Sequence, residues 1–93
     1  MDSKIKALAE AITHTKTKNV VQSHVKSLEF SEDTRHLVIT LDNAGPLHEL
    51  EEGEGDKHLN AGLVKVYGED ITYVLKLPGG STHEREKAVS RRV

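Results

Sequence analysis

Leu37-Val38-Ile39-Thr40-Leu41-Asp42-Asn43-Ala44, with Leu47 and Leu50 beyond it, is the stretch on which the fold turns. Leu37, Ile39 and Leu41 fall on one side of an extended chain and Val38 and Thr40 on the other. The run therefore reads as a strand with one buried face. Asp42 or Asn43 can cap the next element, and Pro46 sits in a first helical turn, so the strand hands over to a short helix. Leu47 and Leu50, three positions apart, give that helix one apolar side.

Upstream, residues 26–30 alternate too. Lys26, Leu28 and Phe30 point one way and Val25, Ser27 and Glu29 the other, and the polar turn Ser31-Glu32-Asp33-Thr34-Arg35 closes a hairpin. Val20 and Val21 either extend a helical turn or begin a strand. Ser3 caps a first helix whose stripe is Ile5, Leu8, Ala9 and Ile12. The β-branched, polar run from Thr13 to Asn19 is expected to end it. Downstream, Gly53 and Gly55 break the short helix. A longer helix spans 56–67, with Leu59, Leu63 and Val66 inside, Val64 and Tyr67 at its edges, and Gly68 as C-cap. Ile71, Tyr73, Leu75 and Leu77 alternate with Thr72, Val74 and Lys76 as a third strand. Pro78-Gly79-Gly80 then ends the fold, and residues 81–93 read as a frayed or helical tail. Three strands, antiparallel or mixed, carry helices on one face. The rows Ser27/Glu29, Val38/Thr40 and Thr72/Lys76 suit the wet face.

Ninety-three residues fit one domain, here 1–80 with a basic C-terminal tail at 81–93. At 35% hydrophobic and 30% charged the chain is globular rather than disordered. Phe30, Tyr67 and Tyr73 are its only aromatics, which argues against a base-stacking platform. With no cysteine, disulfides and thiolate metal sites are excluded, as suits a reducing cytoplasm. No signal peptide or membrane-spanning run is legible, so a soluble cytoplasmic protein is expected.

The net charge of −2 hides a pattern of basic ends on an acidic body. Lys4, Lys6, Lys16 and Lys18 face only Asp2 and Glu10 at the start, and Arg85, Lys87, Arg91 and Arg92 face Glu84 and Glu86 at the end. Lys16, Lys18, Arg85, Lys87, Arg91 and Arg92 are the candidates for nucleic-acid contact, against the plainer reading of solvated charge. Glu49, Glu51, Glu52, Glu54 and Asp56 are the candidates for partner binding. As carboxylates between His48 and His58 they could also hold a divalent cation, but their spacing fits no EF-hand, and a solvated acidic turn is the simpler expectation. Replacing Glu51, Glu52 and Glu54 by Gln is accordingly expected to change stability by less than about 1 kcal/mol. His14, His24, His36, His48, His58 and His83 form no HxH or HExxH pattern and read as chance surface histidines. No metal site, cofactor or catalytic constellation emerges, so no enzyme is expected.

The element order α-β-β-α-α-β matches the type II KH arrangement, an α+β fold that usually holds single-stranded nucleic acid. Its GxxG loop is degenerate here. Gly53-Glu54-Gly55-Asp56 ends in a carboxylate and repels phosphate. The stretch 37–44, then Leu47, Leu50, Leu59 and Leu63, then Tyr67-Gly68-Glu69-Asp70-Ile71, resembles the DciA family of bacterial replicative-helicase loaders over residues 20–77. It is similar in layout to the N-terminal domain of the DnaA initiator and to a domain of the polymerase tau subunit. The tryptophans often found beside the first two strands of that family have no counterpart here. The resemblance implies a protein-interaction module of DNA replication that binds a replicative helicase or related partner, with DNA or RNA touched through the basic ends. The alternatives are a small KH-like single-stranded nucleic-acid-binding protein, and an adaptor or inhibitor presenting an acidic face.

Overall fold

In the computed structural model, which describes residues 3–78 together with the strand residues 87 and 88, the first surprise lies in the Thr13–Asn19 run. It does not end the helical region. Helix α1 (Ser3–Ala11) stops, and α2 (Thr15–His24) starts four residues later. One local and one long-range contact mark the stop. The Ile12 N–H turns back to the Ala9 carbonyl at 3.1 Å, and Lys65 Nζ donates to the Ala11 carbonyl at 3.3 Å. The restart is capped by His14, whose ring Nδ1 accepts the Thr17 N–H. Thr17 and Val21, one turn apart, are both buried, and their packing overrides the poor helix propensity of the run. Val20 and Val21 therefore belong to a helix.

Helix α2 passes without a linker into β1 (Val25–Ser31), which forms an antiparallel hairpin with β2 (His36–Leu41). Val25 pairs with Leu41 but Ser27 pairs with Thr40, so Lys26 is an extra residue in a β-bulge. This corrects the expected alternation. Val25 and Leu28 are buried together, and Lys26 is exposed rather than sharing the Leu28 face. In β2 the expected row of Leu37, Ile39 and Leu41 is fully buried.

From β2 the chain crosses over through α3 (Ala44–Glu51) and α4 (Gly53–Tyr67) to β3 (Thr72–Lys76), which lies parallel to β2. Parallel neighbours need such a crossover, since a tight turn cannot join them. Asn43 caps α3 by accepting the Gly45 N–H at 3.1 Å, and Gly68, at φ +100°, ends α4 as its C-cap. Helix α4 begins at Gly53, not near Asp56, because α3 and α4 are separated by Glu52 alone. A fourth strand, β4 (Lys87–Ala88), pairs antiparallel with Thr72 and Tyr73, so Lys87 and Ala88 are neither frayed nor helical, and the rest of the expected tail 81–93 lies outside the described residues. The sheet order is β1-β2-β3-β4.

The result is an α+β fold. Ile5, Leu8, Val21, Leu50, Leu59 and Leu63 from the helices meet Leu28, Leu37, Ile39, Tyr73 and Leu75 from one sheet face in a single core. The opposite rows, Ser27/Glu29, Val38/Thr40 and Thr72/Lys76, stay half-exposed or exposed as expected. Among the described residues, no helix is long and apolar enough to cross a membrane.

The hairpin turn is anchored to the end of α4 by Arg35, a residue with no sequence-level signal of its importance. It adopts φ +54°. Its guanidinium donates to the Tyr67 carbonyl at 2.7 Å and to Asp70 Oδ1 at 2.8 Å, and lies 5.2 Å from the Phe30 ring centroid. Its own carbonyl accepts the Thr72 N–H. One residue, through its side chain and its carbonyl, thus joins the turn, the α4 C-terminus and the start of β3. A cation is also favourable at a helix C-terminus.

Candidate functional site

The α3–α4 junction packs closely because of its glycines. Gly53 sits at φ +64°, a conformation that a side chain makes costly. A Cβ on Gly55 would run into the Glu49 carbonyl, so α3 and α4 approach as closely as they do only with glycine there. Both glycines of Gly53-Glu54-Gly55-Asp56 thus have structural reasons to be present.

The five candidate carboxylates divide into two groups. Glu51 and Asp56 turn toward the body of the protein. Glu51 is only 8% exposed and lies 3.4 Å from His48 Nδ1, so the expectation of a wholly solvated acidic turn is wrong at this residue. It shares the buried stripe with Leu47 and Leu50. Asp56 is half-buried and accepts the Tyr73 hydroxyl at 3.0 Å, while Asn60 Nδ2 donates to the same hydroxyl at 2.8 Å. Burial pushes the Tyr73 phenol far above its ordinary range, and the adjacent Asp56 carboxylate adds to the effect. Glu49, Glu52 and Glu54 face outward and line a cleft of about 420 Å³. Glu54, in the first turn of α4, also complements the positive end of that helix.

The far wall of the cleft is α2 with its cap, which together contribute His14, Lys16, Thr17 and Val20. Leu50 and Gly55 also line it. Lys16 is therefore not on an arm beyond the first helix. It reaches across from α2 to Glu49 at 3.3 Å, so a candidate nucleic-acid contact and a candidate partner contact are paired with each other. Lys18 is a half-buried residue of α2. Lys87 falls in β4, while Arg85, Arg91 and Arg92 lie outside the described residues.

The histidines are less incidental than their scatter implied. His14 stacks on His58 with ring centroids 4.1 Å apart and planes 6° from parallel, which ties the start of α2 to α4. His58 Nε2 lies 3.3 Å from Glu54 and His36 Nδ1 2.9 Å from Thr72 Oγ1. His24 Nδ1 meets Asp42 Oδ1 at 3.0 Å, and Lys26 approaches the other oxygen at 3.5 Å. Partial desolvation works upward on the Asp42 carboxyl. The His24 and Lys26 contacts outweigh it and hold that carboxyl below its ordinary range. His83 lies outside the described residues. Of the metal-binding residue types, His48, Glu51 and Glu52 bring one donor atom each within 4.8 Å of one another, at the end of α3.

No protein-family model, no curated protein and no solved structure matches this chain.

Proposed function

We propose that this chain is a non-enzymatic protein-interaction module of the KH-like type II class. On this reading it is DciA-like, works in the cytoplasm, and engages a replicative helicase or a related replication partner. What supports the class is the path of the chain. An antiparallel hairpin leads into a two-helix crossover and a third strand parallel to the second, with glycines where the two helices meet. What supports a protein partner is one observation. The cleft at the helix junction is lined by Glu49, Glu52 and Glu54, and Lys16 on its opposite wall is already paired to Glu49. Carboxylates at that place oppose phosphate and favour a basic protein surface.

The test is a binding measurement with the purified replicative helicase of the source cell, run beside titrations of single-stranded DNA and RNA at low salt. The expected outcome is a complex with the helicase that survives in the presence of excess oligonucleotide. Absence of that complex, together with oligonucleotide binding that falls steeply with salt, would instead establish the nucleic-acid-binding reading.

A further inference from the structure

We propose that the stacked rings of His14 and His58 are a pH-sensitive latch on helix α2. With His14 neutral, the latch holds the start of α2 against α4. When both rings carry a proton, it opens. The latch is independent of which partner the chain binds.

The His14 ring has two tasks. Its Nδ1 accepts the Thr17 N–H at 3.4 Å and so caps α2. A ring with a proton on each nitrogen has no acceptor left. The Thr17 hydroxyl, 2.9 Å from the same atom, can turn round to accept from it, but the backbone N–H cannot. Thr17 is only 3% exposed, so the loss falls where water is a poor replacement. The added charge also sits at the positive end of α2. The second task is the stack. The His58 ring lies 4.1 Å away and 6° from parallel, a separation at which two charged rings repel.

His58 is held differently. Its Nε2 lies 3.3 Å from Glu54, so a proton there gains a carboxylate partner and leaves the cap intact. A proton on His58 alone therefore keeps the latch closed, and one on each ring opens it. Other charged groups face the pair. Lys16 of α2, Glu49 of α3, Glu52 at the junction and Glu54 of α4 line the cleft beside His14, and Lys65 of α4 reaches the Ala11 carbonyl at the end of α1. The two lysines add to the repulsion. The carboxylates attract the charged rings, but Glu49 is paired to Lys16, and Glu49 and Glu54 are 47% and 74% exposed, so water and salt screen them. The cap and the stack are direct contacts of half-buried rings. Val21, fully buried one turn beyond Thr17, keeps the rest of α2 docked, so opening is confined to the first turn.

The experiment is an NMR titration of the full chain from about pH 8 to about pH 5. Long-range proton–nitrogen spectra read the tautomer of each ring, and Cα shifts read the helix at Thr15–Lys18. At the alkaline end His14 is expected to carry its proton on Nε2. On acidification the helical shifts at Thr15–Lys18 are expected to be lost, while Leu37, Ile39 and Leu75 keep theirs. His14→Asn supplies a cap that does not titrate and is expected to abolish the change. His58→Phe keeps a ring in the stack without its charge, so opening is expected to need about tenfold more acid. An Nδ1–H tautomer at His14, a helix start that persists to the acid end in wild type, the same response in His14→Asn, or an unmoved midpoint in His58→Phe would each overturn the proposal. So would simultaneous loss of the sheet, which marks general acid unfolding. The tautomer and the wild-type titration need no variant, so they decide the matter even where a substitution prevents folding.

Discussion

Arg35 and Tyr73 each connect elements far apart in sequence, and each connection yields a measurable expectation. Arg35 holds the Tyr67 carbonyl and Asp70 from the hairpin turn. Hydrogen bonds to a charged group contribute about 1.5–3 kcal/mol when buried. With the side chain 38% exposed, Arg35→Ala is expected to cost about 1–2 kcal/mol in denaturant unfolding. A change below about 0.5 kcal/mol would show that solvent replaces the anchor at no cost. Tyr73→Phe strips the hydroxyl that Asp56 and Asn60 share and is expected to cost about 1–3 kcal/mol. The raised phenol pKa gives a pH dependence with a definite sign. The folded state prefers the protonated phenol, so the contribution is complete below the ordinary value of 10.0 and is lost as pH rises beyond it. The stability of Tyr73→Phe is therefore expected to fall less steeply above that pH than that of wild type. Neither side chain announces itself in the sequence. Arg35 reads as one polar turn residue among five, and Tyr73 as one core position in an alternating strand, because their partners are set by tertiary structure.

At the scale of elements, the contrast between Gly53 and Gly55 separates two kinds of glycine. Gly53→Ala meets open space but at φ +64°, so a cost of about 1 kcal/mol is expected. Gly55→Ala would push a methyl group against the Glu49 carbonyl and force α3 away from α4, so a cost of about 2–3 kcal/mol is expected. Thermal or denaturant unfolding of the two variants checks the order, and a reversed order would contradict the close helix approach. The strands β2 and β3 were legible because their alternation is strict and each has one buried face. The short helix α3 was legible from Asn43, Pro46 and the Leu47/Leu50 pair. Helix α2 was not, since its caps and packing are unusual: histidine is an atypical N-cap, and Thr17 is a polar residue in a buried position. The spacing of Thr17 and Val21, four apart, was the available signal. The β1 bulge left a signal as well, in Val25 and Leu28, which are three apart where a regular strand places buried residues two apart.

For the whole molecule, the acidic body is not one uniform surface. Glu51 belongs to the buried stripe of α3 and Glu49, Glu52 and Glu54 to the cleft. Glu51→Gln is therefore expected to change stability by more than about 1 kcal/mol, while Gln substitutions at Glu49, Glu52 and Glu54 combined stay within about 1 kcal/mol of wild type. Denaturant midpoints measured at one pH decide it, and equal effects would show that Glu51 relaxes to the surface. This division was within reach of the sequence. Leu47, Leu50 and Glu51 fall at i, i+3 and i+4, the spacing of one helical face, yet the surrounding charge run drew the reading toward solvent. The pairing of Lys16 with Glu49 was out of reach, because it needs the position of α2, an element that the residue pattern concealed.

The extra residue in β1 also bears on solubility. β1 forms one margin of the sheet, where backbone donors and acceptors can recruit a strand from another molecule. Lys26 interrupts the regular ladder at that margin and places a cation there, which disfavours stacking of copies into fibres. It also fixes the hairpin against slippage. A regular ladder at this point would instead turn Val25 outward and Lys26 toward the core. The kink that spoils the alternation of the strand therefore works against edge-to-edge pairing of copies at that margin.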